Sequence, residues 1–496
     1  MRGATKKRIV FAGHVVAITA VLTFLTGCML GPDYVRPETA ADGAEGYVFA
    51  DANSAGANDV NVVDDWWERF GDPVTSELVR EALRNNNDLE AAAARVLQAD
   101  ALLDEARGRQ WPSAGYNFSR SRGKSSFNFS GGRFSNLSTT FMHDLTVNYM
   151  VDLFGKLRRG ERAAWADLLA AESIRQAVVH AVISGAVRAR VDIATIEHRL
   201  TITQADTVNW EKNLEVIMRR YNQGLVGPLD VRLAKGNLAG SQATEIAIEL
   251  TLAKAHNALD VLLGRRPGTG ERLPKTLAEL PDLSPVPLGL PAELLDRRPD
   301  VRAAELALES SSERIGVSIA ELFPDLTLTG TYGRSADIFD DLFVPETEIY
   351  SAIIRVTQPI FEGGQRLSRV RGAKARYAEL VANYAQTVLT AIREVEDALA
   401  SEQMLQKRLE AVQRQFDESV AADELAMSRY VQGVDSLITV LETERRRRIA
   451  ENLLNNVKGD LWTTRVDLFL ALGGDWIDES EEENGDGSVA KESEDS

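Results

Sequence analysis

Few residues in this sequence are placed to do covalent or proton-transfer chemistry. Cys28 is the only cysteine in 496 residues, so its thiol has no disulfide partner within the chain and needs another use. Four histidines follow it, His143, His180, His198 and His256, scattered without ligand spacing. No HExxH motif, phosphate loop, dinucleotide fingerprint or nucleophile elbow accompanies them, so hydrolase, nucleotide and metal chemistry find no support, and no cofactor is implied. Carboxylates are abundant, but on long helices they serve as surface charge. Glu442 has Arg445 and Arg446 three and four residues ahead, the spacing of ion pairs on an exposed helix face, and the run Arg445 to Arg448 suits a solvated or interhelical salt-bridging surface.

Cys28 itself sits in a directed context. Arg2, Lys6, Lys7 and Arg8 precede an apolar run over residues 9–25, with no acid, as in a secretory signal. The run ends in Leu25-Thr26-Gly27-Cys28, which resembles a bacterial lipobox, where the thiol is acylated and becomes the mature N-terminus. Several acyl chains anchor durably, since each buried methylene contributes about 0.8 kcal/mol. Met29 follows the cysteine, where an Asp would hold such lipoproteins at the inner membrane. Loss of the leader moves the formal charge from −18 to −22, which excludes nucleic acid as a natural partner. No later stretch approaches the roughly 20 apolar residues of a membrane helix, so any membrane crossing by the mature chain must use strands.

An internal repeat organises the rest. Trp111-Pro112-Ser113 recurs as Phe323-Pro324-Asp325, Tyr221-Asn222-Gln223-Gly224 as Tyr430-Val431-Gln432-Gly433, and Leu263-Gly264 as Leu472-Gly473. Each half predicts the same order: helix, strand, loop, strand, very long helix, tight turn, return helix. The long helices are expected over 157–221 and 365–430, about 100 Å each. In the second, Tyr377, Val381, Tyr384, Val388, Ile392, Val395 and Leu399 recur at about 3.7 residues, longer than a heptad's 3.5, which suits helices packed side by side as staves. Gly224, Gly227 and Pro228, and Gly433, Asp435 and Ser436, supply the turns. The organisation is then a signal over 1–27, a lipidated segment over 28–72, a first repeat over 73–264, a proline-rich connector over 265–298, a second repeat over 299–473, and an acidic solvated tail over 474–496.

Strand texture appears near 114–122, 140–153, 326–333 and 349–361, rich in Thr, Tyr, Phe, Val and Ile, with 123–138 and 334–348 expected as loops. Strands crossing a membrane must close into a barrel, and four cannot close alone. Two copies would give eight strands with a filled lumen, three would give twelve with room for a pore.

These landmarks resemble the TolC-type outer-membrane factors over nearly all of the mature chain. Gly31-Pro32-Asp33-Tyr34-Val35-Arg36-Pro37, Trp66-Trp67 with Phe70-Gly71-Asp72-Pro73, and Arg297-Arg298-Pro299-Asp300-Val301-Arg302 are similar to the NodT branch of efflux lipoproteins. The resemblance implies an α+β membrane protein: a homotrimer with a twelve-stranded outer-membrane barrel, four strands per chain, continued by a periplasmic α-helical barrel with a mixed equatorial region. It implies passive export, with a periplasmic adaptor and an inner-membrane pump as partners beside the outer-membrane lipid. By the same resemblance Arg429, Thr439 and Glu442 fall where a periplasmic gate is formed. Three copies of Glu442 in a narrow mouth would make it sensitive to pH and ions. Gly224, Leu225, Gly433, Val434, Asp435 and Ser436 occupy the turns that meet the adaptor; the first of these, with Gly227-Pro228, departs from the usual serine-containing pattern. A polypeptide secretion duct shares this architecture. A periplasmic coiled-coil adaptor lipoprotein shares the long helices but lacks the two aromatic and threonine-rich hairpins.

Overall fold

The structure is a computed structural model that describes residues 29–44, 46–49, 66–129, 132–270, 273 and 294–473. Cys28, residues 274–293 of the connector and the acidic tail lie outside the described residues. The helices α1 (Pro73–Asn85) and α2 (Asn87–Gly108) lead into strands β1 (Ser113–Phe129) and β2 (Gly132–Val151), then α3 (Lys156–Asn222) and α4 (Pro228–Leu262). The second half repeats this with α5 (Pro299–Ala320), β3 (Asp325–Ala336), β4 (Glu348–Thr357), α6 (Gln365–Val431) and α7 (Leu437–Ala471). The correspondence extends to length: α3 and α6 each have 67 residues, and α4 and α7 each have 35. At 1.5 Å per residue the long helices rise about 100 Å. Tyr384, Val388 and Val395 of the apolar stripe on α6 are buried, as a 3.7-residue period requires of a helix packed along one face.

The chain divides into two compact units. One comprises Met1–Pro37, Arg95–Glu172 and Ala303–Tyr384, and holds the sheet. The four strands are all antiparallel in the order β1-β2-β3-β4, leaving β1 and β4 as open edges in this chain. β4 ends at Thr357, just before Pro359, which cannot donate to a ladder.

Over 123–129 and 132–138 the expected loop is instead strand: β1 and β2 pair from Ser113↔Asn148 to Phe129↔Gly132. The sequence of that extension is rich in serine and glycine and shows only the brief Phe127-Asn128-Phe129 alternation, so the strand signal is weak there. Most of 334–348 is a packed turn rather than an open loop. Leu342 is fully buried, and Phe339 meets Phe141 and Phe343 edge-on, with ring centroids 5.6 and 5.8 Å apart.

The N-terminal strap belongs to the same unit. Leu30 N–H donates to the Phe154 carbonyl at 3.2 Å, seating the strap on the corner between β2 and α3. Gly31 lies so close to Gly316 of α5 that a Cβ at Gly31 would stand 2.5 Å from its Cα. Arg159, 1% exposed, donates to both carboxylate oxygens of Glu313 at 2.9 Å and reaches Asp33 at 2.9 Å. Arg36 grips Glu305 at 2.8 Å through two nitrogens. The strap motif is therefore structural: it joins the start of α3 to α5 through buried or half-buried ion pairs.

The other unit comprises Glu38–Ala94, Ser173–Arg302 and Ala385–Ser496. Trp66, Trp67, Leu78, Val79, Val187, Leu259, Trp462 and Val466 belong to one apolar cluster at its core. Asp72 explains the Gly71-Asp72-Pro73 motif: it caps α1 by accepting from Val74 N–H at 3.2 Å and pairs with buried Arg190 at 3.1 Å. Arg298 holds Asp300 at 2.8 Å and Glu394 at 2.7 Å, and donates to the Ala471 carbonyl at the end of α7.

Candidate functional site

Two regions carry surfaces or charges beyond what the fold itself requires, and the first is the sheet. Successive strand residues point to opposite faces, and directly opposed residues share a face. The register therefore gathers Tyr116, Phe118, Leu145, Val147, Leu328, Tyr332, Tyr350, Ile354 and Val356 on one face. These side chains are exposed, Tyr350 at 82% and Ile354 at 76%. The opposite face holds Asn117, Asp144, Thr146, Asn148, Thr329 and Thr331. There Thr146 donates to Asp144 at 2.7 Å and Thr329 to Asn148 at 2.9 Å. An apolar outer face over a hydrogen-bonded polar inner one is the pattern of a strand wall between lipid and water. Trp111, Ile360 and Phe361, all strongly exposed, flank its helix-side end like an interfacial belt. Among the described residues no helix is long and apolar enough to cross a membrane.

The second region is the pair of helix turns. Both close in the same way: Gly224 N–H donates to Tyr221 O at 2.9 Å and Leu225 N–H to Arg220 O at 2.9 Å, while Gly433 N–H donates to Tyr430 O at 3.0 Å and Val434 N–H to Arg429 O at 2.9 Å. This double bond pattern needs a left-handed residue, and Gly224 and Gly433 have φ of 73° and 75°. The restarts differ. Asp230 accepts from Gly227 N–H at 3.2 Å, while the Ser436 hydroxyl accepts from Thr439 N–H at 3.4 Å. Ile217, Ala234, Ala426, Tyr430, Leu437 and Val440 pack beneath the turns. Leu225 and Val434 stay exposed.

The residues expected at a gate lie close to the second turn. Arg429 spans it by pairing with Asp435 at 2.7 Å. Glu442 pairs with both Arg445 and Arg446, at 2.8 and 2.7 Å. Hydrogen bonds from these two guanidiniums hold its carboxyl down to about 2, so its charge does not change across the neutral range.

The group able to titrate there is Glu444, which sequence reasoning missed. It is 4% exposed, and its Oε1 accepts from the Asn209 and Asn213 side-chain amides at 2.9 and 2.7 Å. Its Oε2 has no partner among the described residues. Burial pushes this carboxyl up to about 7, against the pull of Asn213 and with added repulsion from Asp423. Next to it Arg447 serves three acids, Asp206 of α3, Asp423 of α6 and Glu451 of α7, at 2.9, 3.1 and 3.0 Å. Burial raises the carboxyl pKa of each, with Arg447 opposing. A signal for Glu444 existed: Leu437, Val440 and Glu444 follow at steps of three and four, which places the acid on the buried stripe of α7.

Among the described residues no group of His, Cys, Asp and Glu could hold a metal ion. Residues 78–265 and 290–474 match the family model of the outer membrane efflux proteins, and the chain belongs to that family. It is 31% identical over 458 residues to the solvent efflux pump outer membrane protein SrpC of Pseudomonas putida, covering 92% of this chain and 97% of the relative. It is 28% identical over 467 residues to the probable outer membrane lipoprotein SilC of Salmonella typhimurium, covering 92% and 98%. Among solved structures, the outer-membrane channel OprN superposes with a TM-score of 0.80 at 29% identity, covering 90% of this chain and 99% of the other. The protein is an outer-membrane component of an efflux pump, with the tandem repeat and mixed helix and sheet content of TolC-type channels.

Proposed function

We propose that the protein is a homotrimeric exit duct that performs no reaction of its own. Substrate delivered by an inner-membrane pump through a periplasmic adaptor passes outward through it passively. The observation that carries this reading is the two-faced, four-stranded sheet with both edges open. Three copies joined edge to edge close a twelve-stranded wall with Thr, Asn and Ser toward a water-filled lumen. The pump selects the substrate, so the duct needs only a polar wall and an aperture.

Acylated Cys28 anchors each chain. The seating of Leu30 at the corner between β2 and α3 supports an anchor at the helix-side rim of the barrel, level with the periplasmic leaflet. Residues 28–72 and 265–298 contribute to the equatorial region, 73–264 and 299–473 form the two repeats, and 474–496 is a solvated extension. The turns at Gly224, Leu225, Gly433, Val434, Asp435 and Ser436 meet the adaptor: both are rigidly capped, with Leu225 and Val434 left exposed. Arg429, Thr439 and Glu442 restrict the aperture, since Arg429 and Thr439 brace the second turn and Glu442 orders the basic run behind it.

Native mass spectrometry of detergent-extracted mature protein tests the whole reading. Three chains, each carrying acyl mass at Cys28, is the expected result. A stable single chain would leave four strands unable to close and would return the protein to the periplasmic adaptor class.

A further inference from the structure

The row of β1 that faces outward changes character part way along. It reads Ala114, Tyr116, Phe118, then Arg120, Arg122, Lys124. The apolar part lies at the helix side, where it is opposed on β2 by Val147, Leu145 and His143. The basic part runs toward the hairpin end, opposed by Phe141, Thr139 and Leu137. All three bases are exposed and none forms an ion pair among the described residues. Arg120 instead lies 5.4 Å from the centroid of the Phe141 ring, which keeps its guanidinium at the border of the apolar face. β1 contains no carboxylate, in a chain whose formal charge is −18.

We propose that Arg120, Arg122 and Lys124 form a docking rail for the phosphate groups of the glycolipid in the outer leaflet. This rests on the barrel reading above. With the helices in the periplasm, the hairpin end of β1 faces the cell exterior. A strand crosses the hydrocarbon layer in about 9–11 residues, so a crossing counted from Trp111 at the helix-side belt reaches the outer headgroups near Arg120 and Arg122. Alternate residues stand about 6.8 Å apart along a strand, which spreads three cations up the headgroup layer. Arginine can hold phosphate oxygens with two parallel hydrogen bonds, and lysine adds a point charge.

The competing occupant is a second copy of this chain. Its acidic turn (Asp337, Asp340, Asp341, Glu346, Glu348) would approach the open β1 edge. The lipid is favoured because the bases continue the outward face, whereas a neighbouring strand engages the backbone edge. Glu348 also stands opposite Arg334 in its own chain.

The test uses full-length mature protein purified in detergent and stripped of lipid. It compares the wild type, R120Q/R122Q/K124Q, and R122Q/K124Q, which keeps the contact of Arg120 with Phe141. Each is incubated with bisphosphorylated lipid A, with the same glycolipid lacking both phosphates, or with lipid A plus millimolar inorganic phosphate, and bound lipid is counted per oligomer by native mass spectrometry. Expected are retention of lipid A by the wild type, at least tenfold weaker retention by the triple variant with an intermediate loss in the double, a similar loss for the phosphate-free glycolipid, and little competition by inorganic phosphate.

Equal retention by the triple variant, or of the phosphate-free glycolipid, overturns the proposal. So does full displacement by inorganic phosphate, which would mark a free-anion site. Dissociation of both variants into single chains would assign the bases to the neighbouring copy and overturn it as well. A wild type that is itself a single chain is a separate outcome, visible in the same spectra, and fails the barrel reading along with the rail.

Discussion

Glu444 and Glu442 stand two residues apart on one helix and behave oppositely. Glu442 is exposed and clasped by two arginines, so it remains ionised. Glu444 is buried against two asparagine amides, with one oxygen unpartnered among the described residues, so folding favours its protonated form. A folded-state pKa raised from 4.5 to about 7 means that the native protein holds more protons than the unfolded one between those values. Stability should therefore fall as pH rises through that window. Glu444→Gln keeps an acceptor for Asn209 and Asn213 and removes the charge. We expect it to raise the melting temperature at pH 8, by the equivalent of up to about 3 kcal/mol, and to change it little at pH 4. Melting curves at both values decide this; identical shifts at the two would mean that Glu444 is not the titrating group. For the aperture, alanine at both Arg429 and Glu442 should raise single-channel conductance in planar bilayers, and an unchanged conductance would remove them from the gate.

At the scale of elements, one feature depends on residues far apart in sequence and another on a local turn. The strap is held by Arg159, whose buried guanidinium neutralises Glu313, itself 7% exposed. Arg159→Ala leaves that carboxylate buried without its charge partner, which costs about 3–5 kcal/mol. The expected outcome is faster proteolytic cleavage within residues 29–37 at unchanged helix content; Asp33→Ala, losing an 85% exposed partner, should behave as wild type. The second feature is the turn between α6 and α7. Gly433→Ala forces a side chain into a left-handed conformation at a cost of about 1–2 kcal/mol. No neighbour lies within 4 Å of the added Cβ, so backbone strain is the whole effect. We expect a slightly lower melting temperature and, if this turn meets the adaptor, weaker capture of the adaptor; full capture would take the turn out of that contact.

For the whole molecule, much was legible in the amino-acid sequence because a duplicated chain states its plan twice. Long helices declare themselves through an unbroken apolar period with glycine at the stops, and the expected spans of 157–221 and 365–430 differ by one residue at most from Lys156–Asn222 and Gln365–Val431. Four short runs of alternating β-branched and aromatic residues sufficed to predict a wall that one chain cannot close. The extension of β1 and β2 was not legible: serine and glycine dominate it and leave only the brief Phe127-Asn128-Phe129 alternation, so the pairing across the ladder shows what the period does not. The motifs Gly31 to Pro37 and Arg297 to Arg302 were visible as motifs, but their physical work lay in partners such as Glu313, Glu305 and Glu394, which are remote in sequence. Sequence alone therefore determined the elements and their order, because these depend on local composition and period, and its motifs carried the resemblance that gave the class. Tertiary structure decided which acid is paired and which is buried, which face of each strand is apolar, and where the strap is fastened, because charge state and exposure depend on what the rest of the chain brings within a few ångströms.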